Sequence, residues 1–278
     1  MRTVDDHAIR THAAVRFRSE YDYALFEYWR SAKVLGFLER AGVATLGRVL
    51  DDGCGGGGMC ISFAEESPMV IGIDPADRFR TAGMVMASER GQKHVRFARA
   101  DGTALPFPNG GFDTVLSHAV IEHVADPAAY LREAHRVLRP GGYLFLQTAP
   151  YLSPSGAHLP RLKIPVPFYL LMGRTLAFRL SRFLAERTPG LLDAQPNGSS
   201  FLEMARRGEM KEDDLLYRVT VRNLRRHIAH AGFRVVRESL YVSNLARRIL
   251  PRSLAGRLPR IPVVRDIVVT NMEYLLIA

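Results

Sequence analysis

Residues 49–58, VLDDGCGGGG, constrain the fold more than any other part of the chain. An apolar run closes on two acids and then on five glycines within six positions. Glycine has no Cβ, so a turn built from it lets backbone approach a ligand that a side chain would hold away. Where such a turn leads from a strand into a helix, the amides at the helix start face the ligand. The segment therefore predicts a buried strand at 48–52, a tight turn, and a helix beginning near Met59.

The same unit then repeats. VIGID (70–74) reads as a second strand, 76–91 as a helix closed by Gly91, and 95–98 as a third strand. FDTVLS (112–117) reads as a fourth strand. Residues 127–138 read as a helix closed by Arg139-Pro140-Gly141-Gly142, and YLFLQT (143–148) as a fifth strand. Strands alternating with helices at this spacing predict βαβ units and a parallel sheet. Right-handed crossovers place helices on both faces. A ligand then belongs at the carboxyl ends of the strands, beside the point where strand order reverses.

Upstream, Tyr21, Leu25, Trp29, Ala32 and Leu35 recur at spacings of three and four, which predicts a helical segment over 8–45 ended by Gly42. Downstream, 151–215 is rich in Pro, Gly and Arg and shows no strand pattern. Order resumes with a helix at 220–232 and strand-like runs at 233–242 and 272–278. The 278 residues suit a single domain. Its expected parts are a helical cap at 1–45, a core at 46–150, a variable insertion at 151–215 and a C-terminal part of the sheet at 216–278. Apolar residues make up 47% and charged ones 24%, enough for a core and too little charge for disorder.

The glycine turn alone does not separate one nucleotide ligand from another, because NAD-binding proteins share the topology and a similar glycine pattern. Asp74 ends the second strand about 20 residues past the glycines, where an acid accepts hydrogen bonds from ribose hydroxyls. It serves equally as a helix cap ahead of Pro75. Asp101 follows the third strand in RADGTALPFPNGGFDTV; taken by itself it is an ordinary Asp turn.

Three phrases together carry a resemblance: D-x-G-C-G-x-G with its acid two residues before the first glycine, the ADGTALPF turn, and SHAVIEHVADPAAYLREAHRVLRPGGYLFLQTAP. They resemble the class I S-adenosyl-L-methionine (SAM)-dependent methyltransferases, most nearly the branch holding ubiquinone-type and small-molecule enzymes. The resemblance covers residues 45–150, with weaker agreement at 218–242 and 272–278. It implies an α/β fold: a Rossmann-like, doubly wound, seven-stranded sheet with an antiparallel last strand and a helical insertion after the fifth. It implies SAM as cofactor, and no residue is singled out as a metal ligand. Asp51 would anchor the cofactor through the loop that Gly53, Cys54, Gly55 and Gly57 form. Asp74 would meet the ribose, Asp101 and Gly102 the adenine, and His118 would lie near the sulfonium. The chain departs from the family at Asp52, often apolar there, and at Gly56 and Gly58, which lengthen the glycine run and are expected to alter its flexibility.

Methyl transfer from a sulfonium needs an aligned acceptor and a dry site. An alcohol acceptor also needs a base. The available groups are His118, Glu122, His123, Tyr151 and His158. Glu122 and His123 are expected to position the loop. His118 and His158 are the catalytic expectations, one just past the fourth strand and one in the variable insertion, where acceptor-specific groups belong.

The charge bears on partners. The net charge is +10, and all of the excess lies after residue 150, nearly all of it arginine. A basic half fits an anionic membrane surface, a phosphorylated acceptor or nucleic acid; it also fits a genomic preference for arginine. Residues 164–185, IPVPFYLLMGRTLAFRLSRFLA, place Phe168, Leu171, Met172, Leu176, Leu180 and Phe183 on one helical face and Arg174, Arg179 and Arg182 on another. This predicts a lid over the site or a peripheral contact with an anionic bilayer. Both favour a lipid-linked, glycan or other bulky small-molecule acceptor. An RNA or protein methyltransferase and a non-catalytic SAM-binding protein are the alternatives. Against a nucleic-acid acceptor, the chain shows no D/N-P-P-Y motif and no appended RNA-binding module. Two cysteines, Cys54 and Cys60, without a partner at metal spacing fit a reducing cytoplasm. The first residues show no secretory apolar run, and no apolar run reaches the length of a membrane span.

Overall fold

A computed structural model describes residues 3–16, 18–153, 168–188, 217–243, 258–262 and 264–278. Seven strands form one sheet: β1 (Arg48–Asp52), β2 (Met69–Asp74), β3 (Val95–Arg99), β4 (Phe112–His118), β5 (Leu138–Thr148), β6 (Arg234–Val242) and β7 (Val269–Ile277). Their order is β3-β2-β1-β4-β5-β7-β6. Strands β1 to β5 run parallel, and β7 lies antiparallel between β5 and β6. The expected seven-stranded sheet with its reversed last strand is the observed one. Strand order reverses at β1, whose neighbours are β2 and β4, so the crevice between β1 and β4 is the predicted ligand position.

Side chains alternate across each strand, which divides the core into two. Val49 faces Phe37, Leu38, Cys60, Ile61, Phe63 and Val70. Leu50 faces Ile73, Val115, Tyr130, Leu131, Leu144 and Leu224. The first layer is supplied by helices α2 (Glu20–Arg40), α3 (Gly58–Phe63) and α4 (Gly83–Glu89). The second is supplied by α5 (Pro127–Val137) and, after α6 (Phe168–Met172) and α7 (Arg174–Arg187), by α8 (Val221–His230).

The caps explain where the helices begin. Ser19 accepts the Asp22 amide at the start of α2, and Asp126 with Pro127 at the first turn opens α5. Thr220 and Asn223 form a reciprocal capping box on α8. The single helical segment expected over 8–45 is in fact two, because the chain breaks ahead of the Ser19 cap. Helix α1 (Asp6–Val15) precedes it and α2 follows. The buried face of α2 is also wider than the expected stripe. Ala32 and Leu35 of the stripe are buried as expected and Tyr21, Leu25 and Trp29 are half-buried against the core, but Ala24, Tyr28, Ser31 and Leu38 are buried as well. Small residues at 24 and 31 let α2 approach α3 closely, and that contact sets the face.

Two further expectations change. The helix expected over 76–91 divides into a 3₁₀ turn at Arg78–Arg80 and then α4. Strand β5 starts at Leu138, earlier than expected, pairing Leu138 with Phe112 before an irregularity ahead of Tyr143. The amphipathic segment 164–185 is not one helix over its described part. It forms α6 (Phe168–Met172) and α7 (Arg174–Arg187), split at Gly173, whose φ of +78° no helix accommodates. Residues 164–167 lie outside the described residues. Among the described side chains of α7, Ala177 and Phe178 are buried, whereas Leu171, Leu176 and Phe183 of the expected apolar face are exposed. Among the described residues no helix is long and apolar enough to cross a membrane.

Candidate active site at the carboxyl edge of the sheet

The turn after β1 is held by the strand beside it. The amides of Gly53 and Cys54 both donate to the carbonyl of Ile73, each at 2.8 Å. The Gly55 amide donates to Asp74 Oδ2 at 2.9 Å, and Asp74 Oδ1 accepts the Ala76 amide at 2.8 Å. Asp74 is thus both the cap of its own loop and the clamp on the glycine turn. An ionised carboxylate has about four acceptor positions, so capacity remains on it for hydroxyl donors.

The glycines serve different purposes. Gly53, Gly55 and Gly57 all have positive φ, at 86°, 53° and 82°. A Cβ on Gly53 would strike Val120, and one on Gly57 would strike Phe97 at 2.6 Å. A Cβ on Gly55 would meet only the end of Arg78, at 3.9 Å, so Gly55 alone among the three borders open space. Gly57 is therefore a packing glycine against β3, not part of the open rim. Gly58 is a packing glycine too, since a Cβ there would collide with the Ala24 carbonyl of α2. The added glycines at 56 and 58 let α2 lie on the turn.

The two acids ending β1 point to opposite faces, as strand alternation requires. Asp51 accepts the Cys60 thiol at 3.1 Å, tying β1 to α3 across the turn. Burial and the charge of Asp74 push its pKa up to about 6, against the thiol's hydrogen bond. Asp52 faces Tyr130, and one of its carboxylate oxygens is buried with no hydrogen-bond partner. Burial pushes its pKa up to about 8. Cys54 turns its side chain into the core beside Cys60 and Gly72, so what it offers the turn's open side is backbone. Both cysteines are free thiols.

On the neighbouring strands, Asp101 Oδ1 accepts the Thr103 amide and hydroxyl, both at 2.8 Å, and forms an Asp turn at the surface. Gly102 is required because a Cβ would come within 2.6 Å of Asp52 and 2.5 Å of Tyr130. His118 closes β4, and the next residue, Ala119, has φ +58°, the single non-glycine residue with positive φ among those described. Strained backbone of this kind concentrates at functional sites. Burial and the Arg30 charge hold the His118 imidazole well below its ordinary pKa of 6.5, so the ring is neutral. Its Nδ1 lies 3.5 Å from Arg30 Nη2. That distance is at the limit of a hydrogen bond.

Glu122 is buried; its Oε2 accepts the Thr148 hydroxyl at 2.9 Å, and its carbonyl accepts the Tyr217 amide. It pins the turn after β4 to the end of β5, the positioning role expected of it. Tyr151 donates its amide to Val219 and stacks under Arg218. His158 lies outside the described residues.

Sequence reading missed the contribution of α2. Tyr23, Glu27 and Arg30 cluster there, within electrostatic range of Asp51, Asp74 and Arg78. The available signal was an acid and a base on a helix face that otherwise buries Ala24, Tyr28 and Ser31. Burial pushes the Glu27 pKa up to about 7 despite Arg30 beside it.

Comparison with known proteins agrees with this geometry. Residues 50–146 match the family described as a methyltransferase domain. An uncharacterized methyltransferase of a Mycobacterium species (strain JLS) is 41% identical over 110 residues, which is 40% of this chain and 42% of that protein. A ubiquinone biosynthesis O-methyltransferase of Leptothrix cholodnii is 35% identical over 102 residues, 36% of this chain and 43% of that protein. The chain thus spans about two fifths of the length of these curated relatives. A solved SAM-dependent methyltransferase from Mesorhizobium loti superposes with a TM-score of 0.52 at 19% identity, over 91% of this chain and 98% of that one. The cyclase SpnF superposes equally well, with a TM-score of 0.52 at 18% identity, over 90% and 82% of the two chains. At such identities the likeness is one of fold, and one fold hosts more than one chemistry. Residues 50–146 thus match a methyltransferase domain, and the chain has the fold of the solved SAM-dependent methyltransferase it superposes on.

Proposed function

We propose that this chain is an enzyme that transfers the methyl group of SAM to an oxygen of a lipid-linked, glycan or secondary-metabolite acceptor. The observation that carries the reading is the order of groups along the carboxyl edge of the sheet. Asp101 follows β3, Asp74 ends β2, the open side of Gly55 follows β1 and His118 ends β4. A nucleoside thioether laid along that edge meets an adenine group, a ribose group, a bare backbone and a polar ring in turn.

The chemistry of the donor set fits this cofactor. Asp51 is a buried carboxyl and Glu27 a largely buried one, and burial raises their pKa values to about 6 and about 7. Both therefore resist ionisation and would be relieved by a nearby cation, which a sulfonium is. A pyrophosphate at the same turn would instead add negative charge beside them. Asp51, Gly53, Gly55, Asp74, Asp101, Gly102 and His118 are the proposed cofactor residues. Cys54 and Gly57 contribute through the shape of the turn.

SAM brings an already activated methyl group. What remains for the chain is to orient the acceptor, exclude water and accept a proton. The neutral His118 ring has the protonation state a base needs. His158 remains the proposed acceptor-side alternative. Supporting an oxygen acceptor is the identity shared with a ubiquinone O-methyltransferase over 102 residues. Supporting a greasy one are the exposed Leu171, Leu176 and Phe183, which lie near exposed Arg179 and Arg182. The same helices support the proposal of peripheral contact with an anionic membrane.

The test is transfer of labelled methyl groups from SAM into separated lipid, glycan, small-molecule, RNA and protein fractions of a cell extract. Label entering a lipid, glycan or small-molecule product is expected. Label confined to RNA or protein would overturn the acceptor reading, and no transfer to any fraction would favour a binding protein.

A further inference from the structure

On the α2 side of the sheet, carbon gives way to polar atoms at one level on strand after strand. Two places separate Leu116 from His118 on β4, Phe145 from Gln147 on β5, and Leu275 from Glu273 on β7. Leu116, Phe145 and Leu275 are buried in the core layer of α2. His118 pairs with Gln147, Gln147 with Glu273, and Glu273 with Ser239 of β6. Paired residues of neighbouring strands share a face, with the strands about 4.8 Å apart. These side chains therefore form one row from the carboxyl end of β4 to the outer strand. Asn271 and Tyr241, paired with each other, sit one step nearer the carboxyl edge on the same face.

Hydrogen bonds join the row and give it a direction. Tyr241 donates its hydroxyl to Glu273 Oε2 at 2.7 Å, and Asn271 Nδ2 donates to Glu273 Oε1 at 3.2 Å. Burial raises the Glu273 pKa, opposed by these two hydrogen bonds and by Arg40 and Arg237. An ionised carboxylate only accepts, so Asn271 turns its amide nitrogen to Glu273 and its oxygen away. Gln147 Nε2 donates to that oxygen. What is left over is Gln147 Oε1, buried and without a hydrogen-bond partner. The network thus delivers a spare acceptor beside His118. The Gln147 carbonyl also accepts the amide of the strained Ala119 at 2.9 Å, which fixes Gln147 against the end of β4. A buried acceptor left unmet is costly, and native interiors seldom retain one without a reason. His118, Gln147, Ser239, Asn271 and Glu273 are half-buried and Tyr241 is 39% exposed, so the row borders solvent.

A ligand that completes this row donates at Gln147 and meets further hydroxyl, amide and carboxylate groups at regular intervals. An alkyl chain satisfies none of them, and an anion is repelled by Glu273. A sugar hydroxyl both donates and accepts. Alternate hydroxyls around a pyranose ring repeat at a spacing comparable to that of neighbouring strands. We propose that the row from Gln147 to Tyr241 seats a sugar ring of the methyl acceptor, one hydroxyl donating to Gln147 Oε1 and another lying beside His118. The proposal rests on the O-methyltransferase reading above and narrows its acceptor to one that bears a sugar. Asn271, Glu273 and Tyr241 are positioning residues, acting through Gln147.

The experiment is calorimetric titration of the full chain loaded with S-adenosylhomocysteine. The probes are the octyl β-glycosides of glucose, galactose and mannose, each below its micellar concentration. Octyl tetraethylene glycol ether, with the same tail and no sugar ring, is the control. Methyl glycosides of the same sugars report the ring without the tail. The natural chain is expected to bind at least one octyl glycoside roughly fivefold or more tightly than the ether. Gln147→Leu should abolish that preference. Glu273→Gln, which lets Asn271 reverse its amide, should reduce it about threefold or more. Both variants should keep S-adenosylhomocysteine affinity within about twofold, which also shows that they are folded. Equal binding of glycosides and ether by the natural chain would overturn the proposal, as would a preference that survives both substitutions. Loss of preference together with loss of S-adenosylhomocysteine affinity would overturn it too, since the row would then support the sheet and not a sugar. Methyl glycosides that bind as well as octyl ones would mark a free glycan, and weaker ones a lipid-linked sugar; the row seats the ring in both. A natural chain that does not bind S-adenosylhomocysteine would overturn the cofactor reading itself and the proposal with it.

Discussion

At the scale of single residues, the two acids of β1 show how one step along a strand changes a side chain's fate. Asp51 meets the Cys60 thiol, while Asp52, on the opposite face, has an unpartnered oxygen beside Tyr130 and Gly102. The sequence motif identified Asp51, Asp74 and Asp101 because their spacing from strands and glycines is local. It marked Asp52 only as unusual. It missed Glu27 and Arg30, because the meeting of Arg30 with His118 joins positions 88 residues apart that no local pattern connects. Asp52 yields a prediction. Its pKa rises from an ordinary 3.8 to about 8 in the folded chain, so the folded state holds the proton more tightly than the unfolded one. Ionising it therefore opposes folding. The penalty is absent below about pH 4 and grows until about pH 8. Asp52→Asn, which cannot ionise, should gain stability over the natural chain as pH rises, by roughly 1–3 kcal/mol at pH 8. Urea denaturation across pH 5 to 8 would measure it, and an offset that does not change with pH would contradict the assignment.

Secondary-structure elements were legible where their signals were local. Strands β1 to β4 and helices α5 and α8 sit close to where alternation and caps predict them. Boundaries went astray where tertiary packing or one backbone angle decided them. Ser19 divides α1 from α2, and Gly173 divides α6 from α7. The exposed face was misjudged on α7, where Ala177 and Phe178 are buried in place of Leu176 and Phe183. The contact of α2 with α3 is the element-level feature that forms the site, and it depends on Gly58. Gly58→Ala would press a methyl group into the Ala24 carbonyl, backbone that cannot yield as a side chain would. Overpacking of this kind costs about 1–3 kcal/mol. The variant should melt earlier and bind S-adenosylhomocysteine more weakly, because α2 and its Glu27–Arg30 pair are displaced. Thermal melts with and without that ligand would check it; unchanged melting would show that the helices do not meet as described.

At the scale of the whole molecule, topology does what no single motif could. Five parallel strands with their reversal at β1 gather groups from residues 27 to 118 onto one edge. Sequence reading reached that arrangement because the alternation of strands and helices dictates it. The excess of positive charge, mostly arginine, lies after residue 150, and anionic groups that would complement it are common to lipids, glycans and nucleic acids. Every functional reading above depends on which ligand the glycine turn holds. Parallel calorimetric titrations of the natural chain with S-adenosylhomocysteine and with NAD decide this most directly. Saturable one-to-one binding of S-adenosylhomocysteine with no measurable heat from NAD is the predicted result. Saturable binding of NAD with none of S-adenosylhomocysteine would contradict a SAM site.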